Sequence, residues 1–186
     1  MSANGRGRRS VLAALAVATF GFGCANVRTV AAPGFAIEEG STYAWVAVPI
    51  LEAGSLALDD EALLDDLRAV VDARFTELGL VRRPRGSADY ELRARVRIDK
   101  AQRDLDTEFS MYVAEQYEVG SLTLELDRAG DPAQHWEGTA TEELRLVAVV
   151  SGGVIATRTF TDEEREWDLE GLVRDIAAHL PLVPAR

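Results

Sequence analysis

Tyr90-Glu91-Leu92-Arg93-Ala94-Arg95-Val96-Arg97-Ile98-Asp99 alternates apolar and charged residues without a break. Successive side chains of a strand point to opposite faces. The run therefore predicts a half-buried strand, with Tyr90, Leu92, Ala94, Val96 and Ile98 inside and a stripe of Arg93, Arg95 and Arg97 outside. Leu122, Leu124 and Leu126 repeat the pattern, with Thr123, Glu125 and Asp127 opposite. After the turn residues Gly130-Asp131-Pro132, Trp136, Gly138 and Ala140 continue one face and His135, Glu137 and Thr139 the other. The two runs flanking that turn are expected to pair as an antiparallel hairpin.

Outward from these strands, Thr42 to Val48 places Tyr43, Trp45 and Ala47 at alternate positions and ends at Pro49, which suits another strand. A helix follows, capped by Asp59 or Asp60, with Leu63, Leu67, Val70, Val71, Phe75 and Leu78 at helical spacing. Gly79 supplies its left-handed stop, and Leu80 folds back on its last turn. A last helix starts at Thr161, where Thr161-Asp162-Glu163-Glu164 reads as a capping box, or at Asp168. Its stripe is Trp167, Leu172, Val173, Ile176 and Leu180, and Pro181 ends it. Strand, helix, strands, helix predicts an α+β fold: a two-layer sandwich, mainly antiparallel, with two helices on one face, over residues 42–182. Trp45, Phe75, Leu92, Leu124, Trp136 and Ile176 are the expected shared core.

The N-terminus carries a different signal. Arg6, Arg8 and Arg9 precede an apolar run from Val11 to Phe22, then Gly23 and Cys24, the single cysteine of the 186 residues. Twelve apolar-rich positions fall short of the roughly 20 that cross a bilayer, and match the roughly 7–15 of a signal h-region. The order reads as a lipoprotein signal peptide over 1–23, with Cys24 as the lipidated first residue of the mature chain. The competing site is an ordinary cleavage after Val30-Ala31-Ala32. Arg8-Arg9-Ser10-Val11-Leu12 also resembles part of a twin-arginine signal. Residues 24–41, with Pro33, Gly34 and Gly40, are expected to be a flexible tether.

Cleavage before Cys24 removes three arginines and no acid, taking the formal charge from −11 to −14. Such a domain is unsuited to nucleic acid or to a bare anionic membrane, because both attract positive charge. A lone cysteine excludes an internal disulfide and fits one covalent task. The expected location is the cell envelope, lipid-anchored and facing the periplasm. The outer membrane is favoured over the inner, since Ala25 stands where an aspartate would favour inner-membrane retention.

Thr42-Tyr43-Ala44-Trp45, the helix ending Leu78-Gly79-Leu80, Ala88-Asp89-Tyr90, Gly120-Ser121-Leu122-Thr123-Leu124, His135-Trp136-Glu137-Gly138-Thr139-Ala140 and a closing helix into Leu180-Pro181 follow one another in order. Over roughly residues 42–182 this set resembles the domain of unknown function 4136 family of predicted bacterial lipoproteins. The resemblance implies fold and location, and no catalytic residue. The chain departs from the family pattern at Leu144 to Thr159, a longer apolar stretch around Ser151-Gly152-Gly153.

No catalytic constellation is visible. His135 and His179 lack zinc-ligand spacing, no serine lies in a nucleophile elbow, and no glycine loop resembles a phosphate cradle. Asp104, Asp106 and Glu108 alternate but lack the ligand number and turn glycine of a calcium loop, so they read as solvated acids. Asp65-Asp66 and Glu142-Glu143 diverge on a regular element and make no acid/base couple unaided. No metal and no cofactor is expected.

Two polar and apolar features are left as contact candidates. Arg93, Arg95 and Arg97 either pair across strands with Glu125, Asp127 and Glu137, each pair contributing about 0.2–1 kcal/mol, or form an anion or partner contact. Leu144 to Ala156 is apolar on both sides and breaks at Ser151-Gly152-Gly153. It is expected either to complete the core or to present Val147, Val149, Val154 and Ile155 as a partner surface. The function expected is a lipid-anchored binding or adaptor module for another envelope component, with a protein partner. The rival is a carrier of a small amphiphile or lipid between sheet and helices, and an enzyme comes third.

Overall fold

The computed structural model describes residues 18–19, 26–47, 49–53, 60–105, 113–151, 154–157 and 168–184. Cys24, Asp106, Glu108, the Thr161 capping box and Trp167 lie outside them. The elements are β1 (Ala18–Thr19), β2 (Asn26–Ala31), β3 (Ile37–Glu38), β4 (Thr42–Trp45), β5 (Ile50–Ala53), α1 (Asp60–Glu77) and β6 (Val81–Arg82), followed by β7 (Tyr90–Leu105), β8 (Val113–Arg128), β9 (Asp131–Ser151), β10 (Val154–Thr157), α2 (Leu169–Ala177) and β11 (Leu182–Val183).

The large sheet runs β1-β2-β9-β8-β7-β4-β6, with β10 also on β9 and β5 also on β7. Pairing from β7 to β8 to β9 is antiparallel, with Leu92 opposite Leu126 and Leu122 opposite Ala140. The turn between β8 and β9 falls at Ala129-Gly130, where Gly130 takes a φ of 80°. On the other side β4 lies parallel to both β7 and β6. The connection from β4 to β6 through α1 follows from that, because parallel neighbours need a crossover and antiparallel ones do not. The fold is a mixed α+β two-layer arrangement, as the alternation predicts.

Both helices pack on one face. Phe75, Leu92, Leu124 and Ile176 are 0% exposed and Trp136 1%, and they share one cluster with Leu67, Val71, Leu122 and Leu172. Trp45 packs against that cluster partly buried. α1 ends as its glycine predicts: Gly79 has a φ of 80°, and the Leu80 N–H donates to the Phe75 carbonyl at 2.9 Å. α2 begins at the later of the two expected positions, with the Asp168 carboxylate accepting from the Gly171 N–H at 2.7 Å. One carboxylate joins α1 to the sheet edge. Asp72 accepts from the Tyr43 hydroxyl at 2.8 Å, the Trp45 Nε1–H at 2.9 Å and Arg82 Nη1 at 2.6 Å. Burial, and then that bond to Asp72, push the Tyr43 hydroxyl well above the ordinary tyrosine range.

The tether expected over 24–41 is corrected by the sheet. Asn26–Ala31 is a full strand, paired antiparallel with Trp136–Thr141 of β9, and Val27 joins the core. Phe35 and Ile37 are also buried, the Tyr90 hydroxyl donates to the Ala36 carbonyl, and β3 pairs parallel with β11. These residues are short and lack a long alternation, but each finds a partner from a distant part of the chain. Ala18 and Thr19, inside the expected signal segment, pair with Thr29 and Arg28. Removal of residues 1–23 would leave β2 as the sheet margin there.

Candidate functional site

Both described helices lie on one face, so among the described residues the other face of the sheet is open, and the alternation of β7 decides what it displays. Arg93, Arg95 and Arg97 stand on it with side chains 42%, 47% and 57% exposed. Strand register sets their partners. Arg93 lies directly opposite Glu125 but donates diagonally to Asp127, and reaches Glu91 at 3.8 Å. Arg95 lies opposite Thr123 and reaches Glu125 at 3.4 Å. Arg97, opposite Ser121, turns back to Asp99 on its own strand at 2.8 Å. The bond to Asp127 holds the Arg93 guanidinium above its ordinary value.

Two of the three acids expected opposite the stripe therefore engage it. Glu137 sits on β9, opposite Glu125 and two strands from β7. Farther across, the Thr123 and Thr139 hydroxyls share a hydrogen bond of 2.9 Å, and His135 lies opposite Asp127. The result is a polar surface of mixed charge. Each of the three arginines has an acidic neighbour in it, and among the described residues none is shielded by a helix. Its ion pairs are exposed, so they contribute little to stability. What the arrangement offers chemically is a set of charge-assisted donors and acceptors that a partner can exchange for its own.

The second candidate, Val147, Val149, Val154 and Ile155, lies on a hairpin. Val150 pairs with Ile155 and Val149 with Ala156, so the apolar stretch does form a strand pair, and β8 flanks β9 on its other side. These four residues are described by backbone and register alone.

Two hollows are formed by described residues elsewhere. A cleft of about 550 Å³ lies among the turns Glu38–Ser41, Ala88–Tyr90 and Arg128–Ala129. Within it Asp89 accepts from the Thr42 N–H and hydroxyl at 2.8 and 2.7 Å, and the hydroxyl bond, foremost, holds its carboxyl below the ordinary range. A groove of about 390 Å³ runs between α1 and α2 over Ala69, Val70 and Ala73. Sequence pattern reached neither, since turns and helix flanks carry no period that marks a cleft. Among the described residues no cluster of histidine, cysteine or acids is arranged to hold a metal ion. His179 closes α2, its Nδ1 2.9 Å from the Asp175 carbonyl. Among the described residues no helix is long and apolar enough to cross a membrane.

No family model matches this chain, and no curated protein does. The resemblance to the domain of unknown function 4136 family thus rests on the residues quoted for it. Among solved structures, the chain is similar to a PelC dodecamer from Paraburkholderia phytofirmans, with 14% identity, 86% of this chain and 99% of that chain covered, and a TM-score of 0.48. It is also similar to a putative neuraminyllactose-binding hemagglutinin homolog from Helicobacter pylori, with 9% identity, 76% and 84% covered and a TM-score of 0.46. A third is lipoprotein GNA1162 from Neisseria meningitidis, with 11% identity, 61% and 85% covered and a TM-score of 0.36. The similar solved structures include bacterial lipoproteins, and likeness at these levels carries no function from them to this chain.

Proposed function

We propose that the protein is a lipid-anchored module of the cell envelope that faces the periplasm and binds another envelope component through the open face of its sheet. One observation carries the anchored reading: β2 begins at Asn26, two residues after Cys24. Cleavage before Cys24 keeps that strand whole. Cleavage after Ala32 would remove all six residues of β2 and, with them, the core side chain of Val27. A processing site that preserves the sheet is the one consistent with a stable mature domain. A multiply acylated cysteine then holds the protein on the membrane, because each buried methylene contributes about 0.8 kcal/mol.

The binding reading is supported against the carrier by the layer between sheet and helices. Leu67, Phe75, Leu124, Trp136 and Ile176 fill it, and the two hollows lie at turns and on the outer side of the helices. Binding is proposed because the described residues of the open face offer paired charges and hydroxyls. A photo-crosslinking residue at Thr123, on the open face, tests this in cells against one at Ala73, on the helical layer. A discrete crosslinked product is expected from Thr123, and it should disappear with Arg95→Glu. Crosslinking from Ala73 alone, or a stoichiometric lipid retained by the non-acylated domain, would favour the rival readings.

A further inference from the structure

We propose that the β9–β10 hairpin lies against the bilayer that carries Cys24, as a second membrane contact made by the polypeptide itself. The inference rests on the lipid-anchored reading above and adds an orientation to it.

The placement comes from strand register. β8 covers one edge of β9 along its length, from Asp131 to Ser151. The other edge is shared by two strands: β2, opposite Trp136 to Thr141, and β10, opposite Ala148 to Ser151. The start of β2 and the end of β10 thus face each other along one margin of the sheet. Asn26 is level with Thr141 and Thr157 with Ala148; with Leu144 and Val147 bulged on β9, these levels lie five positions apart on β8, from Ser121 to Gln116, and so are separated by about 17 Å. Two residues of extended chain reach at most about 7 Å. A lipid attached at Cys24 therefore enters the bilayer beside this margin and not at the end of a tether. From the level of Asn26, β9 runs on to Ser151 over eight positions of β8, about 26 Å in the direction that leads away from the turn at Gly130. A membrane lying along that extension is within reach of the lipid at Cys24.

The sequence of the extension suits the contact. Residues 144–151 and 154–157 hold one charged residue, Arg145, and β10 reads Val154-Ile155-Ala156-Thr157. The core cluster on β7, β8 and β9 reaches Val96, Leu122 and Ala140 among the described side chains, and beyond it Ile98, Glu118 and Ala114, the last opposite Val150, are also buried. Beside it on β7 and β8, Lys100, Gln102 and Arg103 are exposed, and the Arg103 guanidinium stacks 5.3 Å over the Tyr117 ring. Amphipathic side chains of this kind suit the headgroup level. An open strand edge is costly in hydrocarbon, because its N–H and C=O groups find no partner there. The hairpin accordingly rests in the interfacial layer, where headgroups and water satisfy that edge.

The test uses the full acylated protein in zwitterionic phosphatidylcholine vesicles, because the acidic domain is unsuited to an anionic surface. Cys24 is consumed by the lipid, so one introduced cysteine can carry an environment-sensitive dye. Labels at Val149→Cys and Ile155→Cys are expected to shift to the blue and to be quenched by lipid-borne quenchers. A label at Ala133→Cys, beyond the β8–β9 turn at the far end of the sheet, should be unaffected. Circular dichroism of each variant confirms that it is folded, and Thr157→Cys replaces either position if it is not. Labels at the hairpin that stay unquenched on an acylated, folded protein would overturn the docking proposal alone. That outcome includes labels that shift to the blue without lipid quenching, which means contact with protein. Intact mass of the same preparation reads the anchor separately, and an unacylated mature chain would remove both.

Discussion

The two faces of β7 differ by one residue in sequence and by nearly everything in environment. Leu92 and Val96 are fully covered by the helical layer, whereas Arg95, between them, has a side chain 47% exposed. A shift of one residue would exchange the two sets, so burial of the leucine side fixes which side chains the open face presents. Stability is therefore concentrated on one face. The other is left free to vary its charges without unfolding the protein.

The largest effect that would break this contrast comes from the covered face. Phe75→Ala empties a wholly buried site, and substitutions of this kind typically cost about 3–5 kcal/mol. Urea denaturation should show a large drop in midpoint, and a parent-like transition would refute the core described here. Gly138→Ala probes the same face by adding an atom. A methyl group there would lie 2.5 Å from the Trp136 ring and 2.6 Å from Ile176. Overpacking of this sort costs about 1–3 kcal/mol, again read from the denaturation midpoint.

The open face should respond weakly to the same measurement. Arg95→Ala removes an exposed pair with Glu125, and such pairs typically contribute about 0–1 kcal/mol. A loss as large as that of Phe75→Ala would mean that the open face also carries the fold. The smallest effect depends on pH. Burial, and then the charges of Asp168 and Asp175, push the Glu142 carboxyl above its ordinary value. The folded state thus binds that proton more tightly than the unfolded chain does, and the ionised group costs stability at neutral pH. Glu142→Gln should be slightly more stable than the parent at pH 7. The advantage should shrink as pH falls toward the ordinary glutamate range, which denaturation at several pH values would show.

Period-two alternation made β7, the β8–β9 hairpin and the helix-covered face legible, and Gly79 and Asp168 marked where helices stop and start. Strand length was not legible. β8 runs from Val113 to Arg128, but Gln116, Glu118 and Gly120 stand at the positions in phase with Leu122, and on β9 the extra residues Leu144 and Val147 shift the register. β2 was missed because Asn-Val-Arg-Thr-Val-Ala has no long period and is a strand only by virtue of β9 beside it. The parallel placement of β4 on β7 is likewise a property of the crossover and not of either strand. On the open face, the arginine stripe was readable but its partners were not. Glu137 has the right charge and parity, and only the strand order shows that it stands two strands from β7.

The measurement that tests the account most directly is the intact mass of the mature protein extracted from membranes. Retention of β2 requires a chain that begins before Asn26, and the account predicts one that begins at an acylated Cys24. An unlipidated mature chain beginning at Pro33, lacking β2 altogether, would contradict it.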